Sequence, residues 1–366
     1  MTAYILRRIL LMGPTLLGIM VLNFAVVQFA PGGPVEQLIA QLTGADSGAA
    51  DRIGGAGVAE IGEFDAAAGS DAYIYRGAQG LDPEFIRQIE KQFGFDKPIH
   101  ERFLLMIKNY AQLDFGKSYF RDESVVSLVL DKMPVSISLG IWTTFIVYLI
   151  SIPLGIRKAV HDGSPFDVWT SAVIIAGYAI PSFLFAVLLV VLFAGGSFLD
   201  IFPLRGLVSD NWNELSRPLK IADYLWHMAL PVTAMVVGGF ASLTFLTKNS
   251  FIDQIKQQYV LTARSKGLSE RRVLYGHVFR NAMLIVIAGF PDALIDILFT
   301  SALLIEVIFS LDGLGLLGFE AVLKRDYPII FATLFFFTMI GLVMKLVGDM
   351  MYTFIDPRID FEARNV

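Results

Sequence analysis

The chain has 366 residues, no cysteine, a formal net charge of −5 and a mean hydropathy of +0.61. Hydrophobic residues make up 55% and charged residues 17%, against roughly 45–50% and about 25% in soluble domains. This excludes a soluble globular enzyme, and the missing cysteines exclude a disulfide framework, a thiol nucleophile and a cysteine metal site.

The apolar residues cluster in runs of about 20, the length that crosses ~30 Å of hydrocarbon as a helix. The fold class is therefore all-α, a polytopic membrane protein with six predicted spans. They run Ile9–Ala30, Val135–Ile156, Val168–Ala194, Trp226–Thr247, Ala282–Ile305 and Ile329–Met351. Arg7 and Arg8 precede the first run, which exceeds the ~7–15 residues of a signal-peptide core, so it is read as a retained span. Six crossings put both termini on one side. Arg7, Arg8, Arg157, Lys158, the basic loop 248–281, Arg358 and Arg364 all fall on that side, which by the positive-inside bias is the cytoplasm.

Residues 31–133, between the first two spans, form a predicted outer loop. Its part 44–80 is rich in Gly, Ala, Asp and Ser and is expected to be a flexible insertion. The rest reads as a small helical cap. Asp82 and Pro83 start a helix whose Phe85, Ile86, Ile89 and Phe93 share one face, and Gly94 ends it. A second helix covers Ile99–Leu113, a turn Asp114–Ser118, and a third helix Val125–Lys132. The second to sixth spans make one permease-like domain, 134–352, followed by a tail, 353–366. Prolines 14, 153, 181, 231 and 291 read as ordinary kinks in or beside spans.

The loop between the fourth and fifth spans is the most informative segment. Across Lys248–Asn281 the basic residues are Lys248, Lys256, Arg264, Lys266, Arg271, Arg272 and Arg280, and the acids are Asp253 and Glu270. A helix over Gln257–Lys266 is predicted, broken at Gly267, where φ > 0 is wanted. Ser269 then N-caps a second helix running toward the fifth span. Small side chains at Thr262, Ala263 and Ser265 leave the first helix slim enough to enter a groove on a partner. The plainer alternative is a basic loop that only sets topology.

Charged residues inside spans are costly and usually face a cavity or a partner, at ~2.5–3.5 kcal/mol each on the lenient insertion scale. Asp292 and Asp296 are i, i+4 on the fifth span, hence on one face, and are candidates to line a pathway; the alternative is a polar contact with a second subunit. Lys345 and Asp349, also i, i+4, are expected to neutralise each other. No phosphate loop of the G-x-x-x-x-G-K-[ST] type is present, nor G-x-S-x-G or H-E-x-x-H. The four histidines are scattered, so no metal or catalytic group is expected.

Thr262-Ala263-Arg264-Ser265-Lys266-Gly267 with Arg280-Asn281-Ala282 resembles the cytoplasmic coupling loop of ABC-importer permeases, in its dipeptide/oligopeptide version. Further stretches agree: Ala30–Pro34, Phe93–Ile99, Arg102-Phe103, Asp114–Ser118, Pro134–Ser136, Glu306–Phe309, Gly313–Gly315, Asp326–Pro328 and Asp356–Arg358. The resemblance covers nearly the whole chain and is nearest to the B-type permeases of microcin C/oligopeptide importers. Two departures stand: the general motif has Glu where this chain has Leu261, and the peptide branch commonly has Ala where it has Ser265.

The resemblance implies a type I importer permease fold and a bacterial inner-membrane location. It implies that Thr262, Ala263, Arg264, Ser265, Lys266, Gly267, Leu268 and Ser269 couple the chain to an ATPase. The implied partners are a second permease, two ATP-binding subunits or one fused ATPase, and a periplasmic peptide-binding protein. ATP and Mg would be bound by the ATPases, with no cofactor in this chain and no nucleic acid. Oligopeptides are the implied cargo. Alternatives are dipeptides or nickel, or an ATP-independent transporter; an intramembrane enzyme would need a nucleophile–base pair that the spans lack.

Overall fold

The structure is a computed structural model that describes residues 2–29, 33–35, 38, 83–92, 94–194, 198–296 and 302–355. The insertion 44–80, Asp82, Phe93, the tail 356–366 and the side chains of Phe85 and Ile86 lie outside the described residues. The described part is helical and resolves into two compact units: 1–15 with 132–316 and 336–366, and 16–131 with 317–335.

Helix α1 is Thr2–Phe29, α2 Pro83–Gln92, α3 Ile99–Ala111 and α4 Val125–Val160. The separate third cap helix predicted over Val125–Lys132 does not exist. It runs straight through Pro134 into the second span, and Pro153 also lies inside α4. A proline forfeits one backbone hydrogen bond and crowds the preceding turn. Buried Leu128, Val129, Ser136 and Leu139 on both flanks outweigh that cost here.

The predicted third span is not one rod. Helices α5 (Pro165–Ala179) and α6 (Ser182–Phe193) meet at 88°. Pro181 cannot donate a hydrogen bond, and the residue before a proline is driven out of the α region. Ile180 accordingly sits at φ −89°, ψ 117°. What reads as an ordinary kink is a break.

Helix α7, Arg217–Ile255, is the axle of the first unit and packs against α4, α5 and α6. Its approach to α4 requires a glycine: a Cβ on Gly155 would lie 2.7 Å from Thr247 Cβ and 2.8 Å from the Thr244 carbonyl oxygen. Small residues that let backbones close up are the usual currency of helix packing in lipid, where burial of apolar surface gives no net drive.

After α7 come α8 (Gln258–Ser265) and α9 (Glu270–Val273). A π-helical turn, Leu274–Val278, leads into α10 (Phe279–Ala288). Gly289 ends α10, α11 is Phe290–Asp296, residues 297–301 lie outside the described residues, and α12 is Ala302–Ile308. The predicted fifth span begins earlier than expected: α9, the π-helical turn, α10 and α11 together give one apolar length, Glu270–Ile295, that can cross a membrane. The chain ends in α13 (Leu314–Lys324) and α14 (Tyr327–Ile355). By length and composition, five helices can cross a membrane, or six if the bent α5–α6 pair counts as one span.

Three polar clusters hold the first unit together. Fully buried Glu306 accepts from the Ser136 hydroxyl at 2.7 Å and from the Leu316 amide at 2.8 Å, and Ser136 Oγ accepts from the Leu314 amide at 2.8 Å. The carboxylate thus caps the start of α13 from another helix, where unpaired amides favour negative charge. Gly313 leaves the room; a Cβ there would overlap the Glu306 carboxylate.

A second cluster ties α4, α5 and α7. Lys158, with no exposed surface, donates to the Asp167 carbonyl (2.8 Å), Thr170 Oγ1 (2.8 Å) and Ser171 Oγ (2.7 Å), and ion-pairs with Asp167 Oδ1 at 2.9 Å. Lys248 meets Asp167 Oδ2 at 2.7 Å and Asp162 Oδ1 at 2.8 Å. The third corrects an expectation: Asp349 pairs with Arg8 at 2.9 Å and accepts from the Tyr4 hydroxyl at 3.0 Å, while Lys345 is exposed.

The second unit is an aromatic core. Tyr110 packs on Phe115 with centroids 4.5 Å apart, Phe115 on Phe335 at 5.2 Å, and Phe24 on Phe103 at 5.1 Å. The predicted breaks are present: Gly94 at φ +73° ends α2, and Gly116 at φ +72° makes the turn before Ser118. Buried Asp326 accepts from the Ser118 hydroxyl and the Tyr119 amide. Burial pushes its carboxyl above the usual range, against the opposing pull of Ser118 and backbone amides.

Two expectations follow for thermal unfolding in detergent. Lys158→Met should cost about 3 kcal/mol, near the lower end for a broken buried pair because Lys248 stays on Asp167. Gly313→Ala should cost about 1–3 kcal/mol by overpacking Glu306, whereas alanine at Gly13, which has open space around it, should cost nothing measurable.

A candidate coupling element between two spans

The basic loop folds as predicted in outline. Helix α8 covers Gln258–Ser265, and its C-terminal turn is closed by a complete Schellman motif. The Gly267 amide donates to the Arg264 carbonyl at 2.9 Å, and the Leu268 amide to the Ala263 carbonyl at 3.3 Å. Gly267 sits at φ +78°, a conformation that glycine adopts without strain. Ser269 has the extended backbone of an N-cap (φ −64°, ψ 148°), but its side chain makes no capping bond.

Val260 and Ala263 point inward. They join Ile156 and Ala159 of α4, Phe251 of α7, Val273 of α9, and Ala282, Met283 and Val286 of α10 in one apolar cluster. Ala263 is therefore an anchor within its own chain rather than part of an outward knob, a correction to the slim-helix reading. Helical spacing supplies the reason: residues 260 and 263 share one face. The opposite face, with Leu261, Thr262, Arg264, Ser265 and Lys266, is exposed, and so is Gly267. Arg264 grips Glu270 through two contacts, 2.9 and 3.0 Å, and braces α8 against α9. Tyr275 on the π-helical turn is 55% exposed and Leu261 51%. The element thus presents a basic surface with two apolar side chains on a rigid mount.

The mount reaches the spans. Ser250 donates to the Ala282 carbonyl at 2.7 Å, tying α7 to α10. Lys248, seven residues before the end of α7, joins the Lys158–Asp167 cluster. Sequence reasoning placed Lys158 and Lys248 only as topological charges. The signal that could have found the cluster is Ser164-Pro165-Phe166-Asp167, which has capping-box spacing: Ser164 Oγ accepts from the Asp167 amide at 3.3 Å, while Asp167 Oδ2 accepts from the amide of Gly163, one residue before the N-cap, at 3.1 Å.

A cavity of about 570 Å³ opens among α4, α5, α6, α7 and α11, with Thr143, Tyr148, Tyr178, Ser182 and Ser242 as polar lining. It was not anticipated, because its hydroxyls are scattered over four helices. Asp292 does not line it, although the neighbouring Ala293 does; Asp292 is exposed, and the side chain of Asp296 lies outside the described residues.

Residues 151–361 match the family model described as "Binding-protein-dependent transport system inner membrane component". Over the full length of both chains, the sequence is 64% identical to "Peptidoglycan transport system permease protein YejB" of Agrobacterium fabrum. It is 58% identical, again over both full lengths, to "Inner membrane ABC transporter permease protein YejB" of Escherichia coli O157:H7. It is 30% identical to "Oligopeptide transport system permease protein AppB" of Bacillus subtilis, covering 99% of this chain and all of the relative. With its apolar spans and these full-length relatives, the chain belongs to the family of inner-membrane components of binding-protein-dependent transport systems.

Proposed function

We propose that this chain is the membrane-spanning permease subunit of an ATP-driven importer of oligopeptides. The observation that carries the reading is the exposed basic face of α8 on a rigid mount between two spans. Full-length similarity to permeases named for ABC and oligopeptide transport supports it.

In this reading Thr262, Arg264, Ser265, Lys266, Gly267, Leu268 and Ser269 face a cleft on an ATPase, with Ala263 holding them from behind. ATP and Mg are bound by that partner, since the chain carries no phosphate loop. A second permease completes the pathway, and a periplasmic binding protein delivers the cargo to the outer residues 31–133. Closure of the ATPases pulls α8. The Val260–Ala263 anchor passes the displacement to α4 and α10, and the Lys158–Asp167–Lys248 cluster passes it to α5 and α7. Packed elements of this kind rock as rigid bodies around a midplane site. The basic face gives docking its specificity and speed more than its affinity.

A second reading of the cargo rests on the relative at 64% identity, whose name specifies peptidoglycan transport. Peptidoglycan fragments join short peptides to sugars, so they share recognition chemistry with oligopeptides. Competition between an unlabelled muropeptide and a labelled oligopeptide for uptake separates the two: one-sided competition assigns the cargo.

Gly267→Val forces a β-branched residue into left-handed backbone, a strain of about 1–2 kcal/mol. The variant should insert normally and hydrolyse ATP with partner subunits while losing most uptake in vesicles; unchanged uptake would remove the lever role. Asp292→Asn with Asp296→Asn should lower uptake of cationic peptides roughly threefold more than that of neutral ones, the scale of a solvated charge contact. Equal losses would assign these carboxyls to a contact with the second permease.

A further inference from the structure

The second unit contains a cavity of about 220 Å³ that coupling and transport leave unexplained. Phe24 and Gln28, from the end of α1, and Tyr327, Pro328 and Phe331, from the start of α14, line it. These residues end one apolar span, Tyr4–Gln28, and begin another, Tyr327–Met351. The cavity therefore sits where both helices leave the hydrocarbon. Tyr110, Tyr119 and Tyr327 contribute to its walls, and tyrosine favours that depth because an apolar ring carries a polar tip.

Arg102 is the unexplained charge. Its Nη2 donates to Gln28 Oε1 at 3.0 Å, and its guanidinium lies 4.6 Å from the Phe95 ring centroid. Its Nε is buried without an acceptor. Among the described residues no carboxylate pairs with it. In the same unit Arg121 is matched by Glu320 at 2.6 Å. Asp114 also lines the cavity, but it is exposed, and its Oδ1 already accepts from the Gly116 amide. A partly desolvated guanidinium with unused donors is costly unless an anion answers it. Its planar fork suits phosphate oxygens, with charge-assisted bonds roughly twice as strong as neutral ones. Exposed Lys97 adds a second positive charge to the lining.

We propose that this cavity binds the phosphodiester headgroup of a membrane phospholipid, with the phosphate on Arg102 and the acyl chains along the exposed Leu17 and Val21 of α1. Two observations favour a lipid over a peptide end. The volume is below the ~300–1,000 Å³ typical of drug-sized ligands, so it suits a headgroup rather than an oligopeptide. The face of α1 that carries Phe24 and Gln28 also continues from the cavity along the span through exposed apolar residues: Leu17 is 49% exposed and Val21 43%. The bound lipid pins the end of the first span to α3 and α14 at the membrane surface. The inference does not depend on which solute is transported.

The test places a photoreactive benzoylphenylalanine at Leu105, which lines the cavity and is 44% exposed, in the full chain in native membranes. Irradiation should capture phospholipid, identified by mass spectrometry. Arg102→Met in the same background should lower capture roughly tenfold, the worth of one charge-assisted hydrogen bond, and Arg102→Lys should retain part of it. Capture that disappears on adding millimolar inorganic phosphate reassigns the cavity to a soluble anion and overturns the lipid. Capture of a peptide or a protein, no capture, or capture unaffected by Arg102→Met also overturns it. Should Arg102→Met fail to accumulate, the identity of the molecule captured by the chain with native Arg102, with and without phosphate, decides alone.

Discussion

A lysine with no water around it needs an anion, and the anion has to come from another part of the chain. Lys158 ends α4, Asp167 lies in the first turn of α5, and Lys248 lies near the end of α7. One carboxylate between two ammonium groups fixes three helix ends relative to one another. The helix termini assist, since an anion is favoured in a first turn and a cation in a last one. Other choices follow. Gly155 must lack a side chain so that α4 can reach Thr244 and Thr247 on α7. The chain emerging from α7 then has a fixed point from which α8 departs.

Charge in this protein serves two purposes that look identical in sequence. Basic residues in short loops between spans bias how a chain is oriented in the membrane. The tertiary structure then divides them. Lys158 and Lys248 are withdrawn into the cluster with Asp162 and Asp167, and Arg264 is held by Glu270. Lys256, Lys266, Arg271 and Arg272 stay at the surface. The first group gives rigidity, and the second gives the field a partner would feel. Glu306 shows the same economy: one buried carboxylate caps α13, and Gly313 and Gly315 make room for it.

Features written in consecutive residues were legible in advance. Apolar runs located α1, α4, α7 and α14, because crossing hydrocarbon demands an uninterrupted length of helix with its backbone bonds satisfied internally. Gly94, Gly116 and Gly267 announced breaks, because few other residues tolerate positive φ. The helix before Gly267 was placed to within a residue at each end. Prolines were less decisive. Pro134 and Pro153 are absorbed inside α4, while Pro181 turns the chain by 88°. A proline states its own φ and its missing donor, but whether a helix breaks depends on what packs beside it.

Alone, the sequence determined the all-helical membrane class and the position of the helix–glycine–helix element, since each is governed by composition or by neighbours along the chain. Only the tertiary structure decided that Ala263 faces inward, that Asp349 answers Arg8 and Tyr4 rather than Lys345, with Tyr4 standing 345 residues away, and that Arg102 lines a cavity with no carboxylate paired to it among the described residues. Those outcomes depend on which distant side chains are brought within about 3 Å, and a linear pattern carries no record of such distances until the helices have packed.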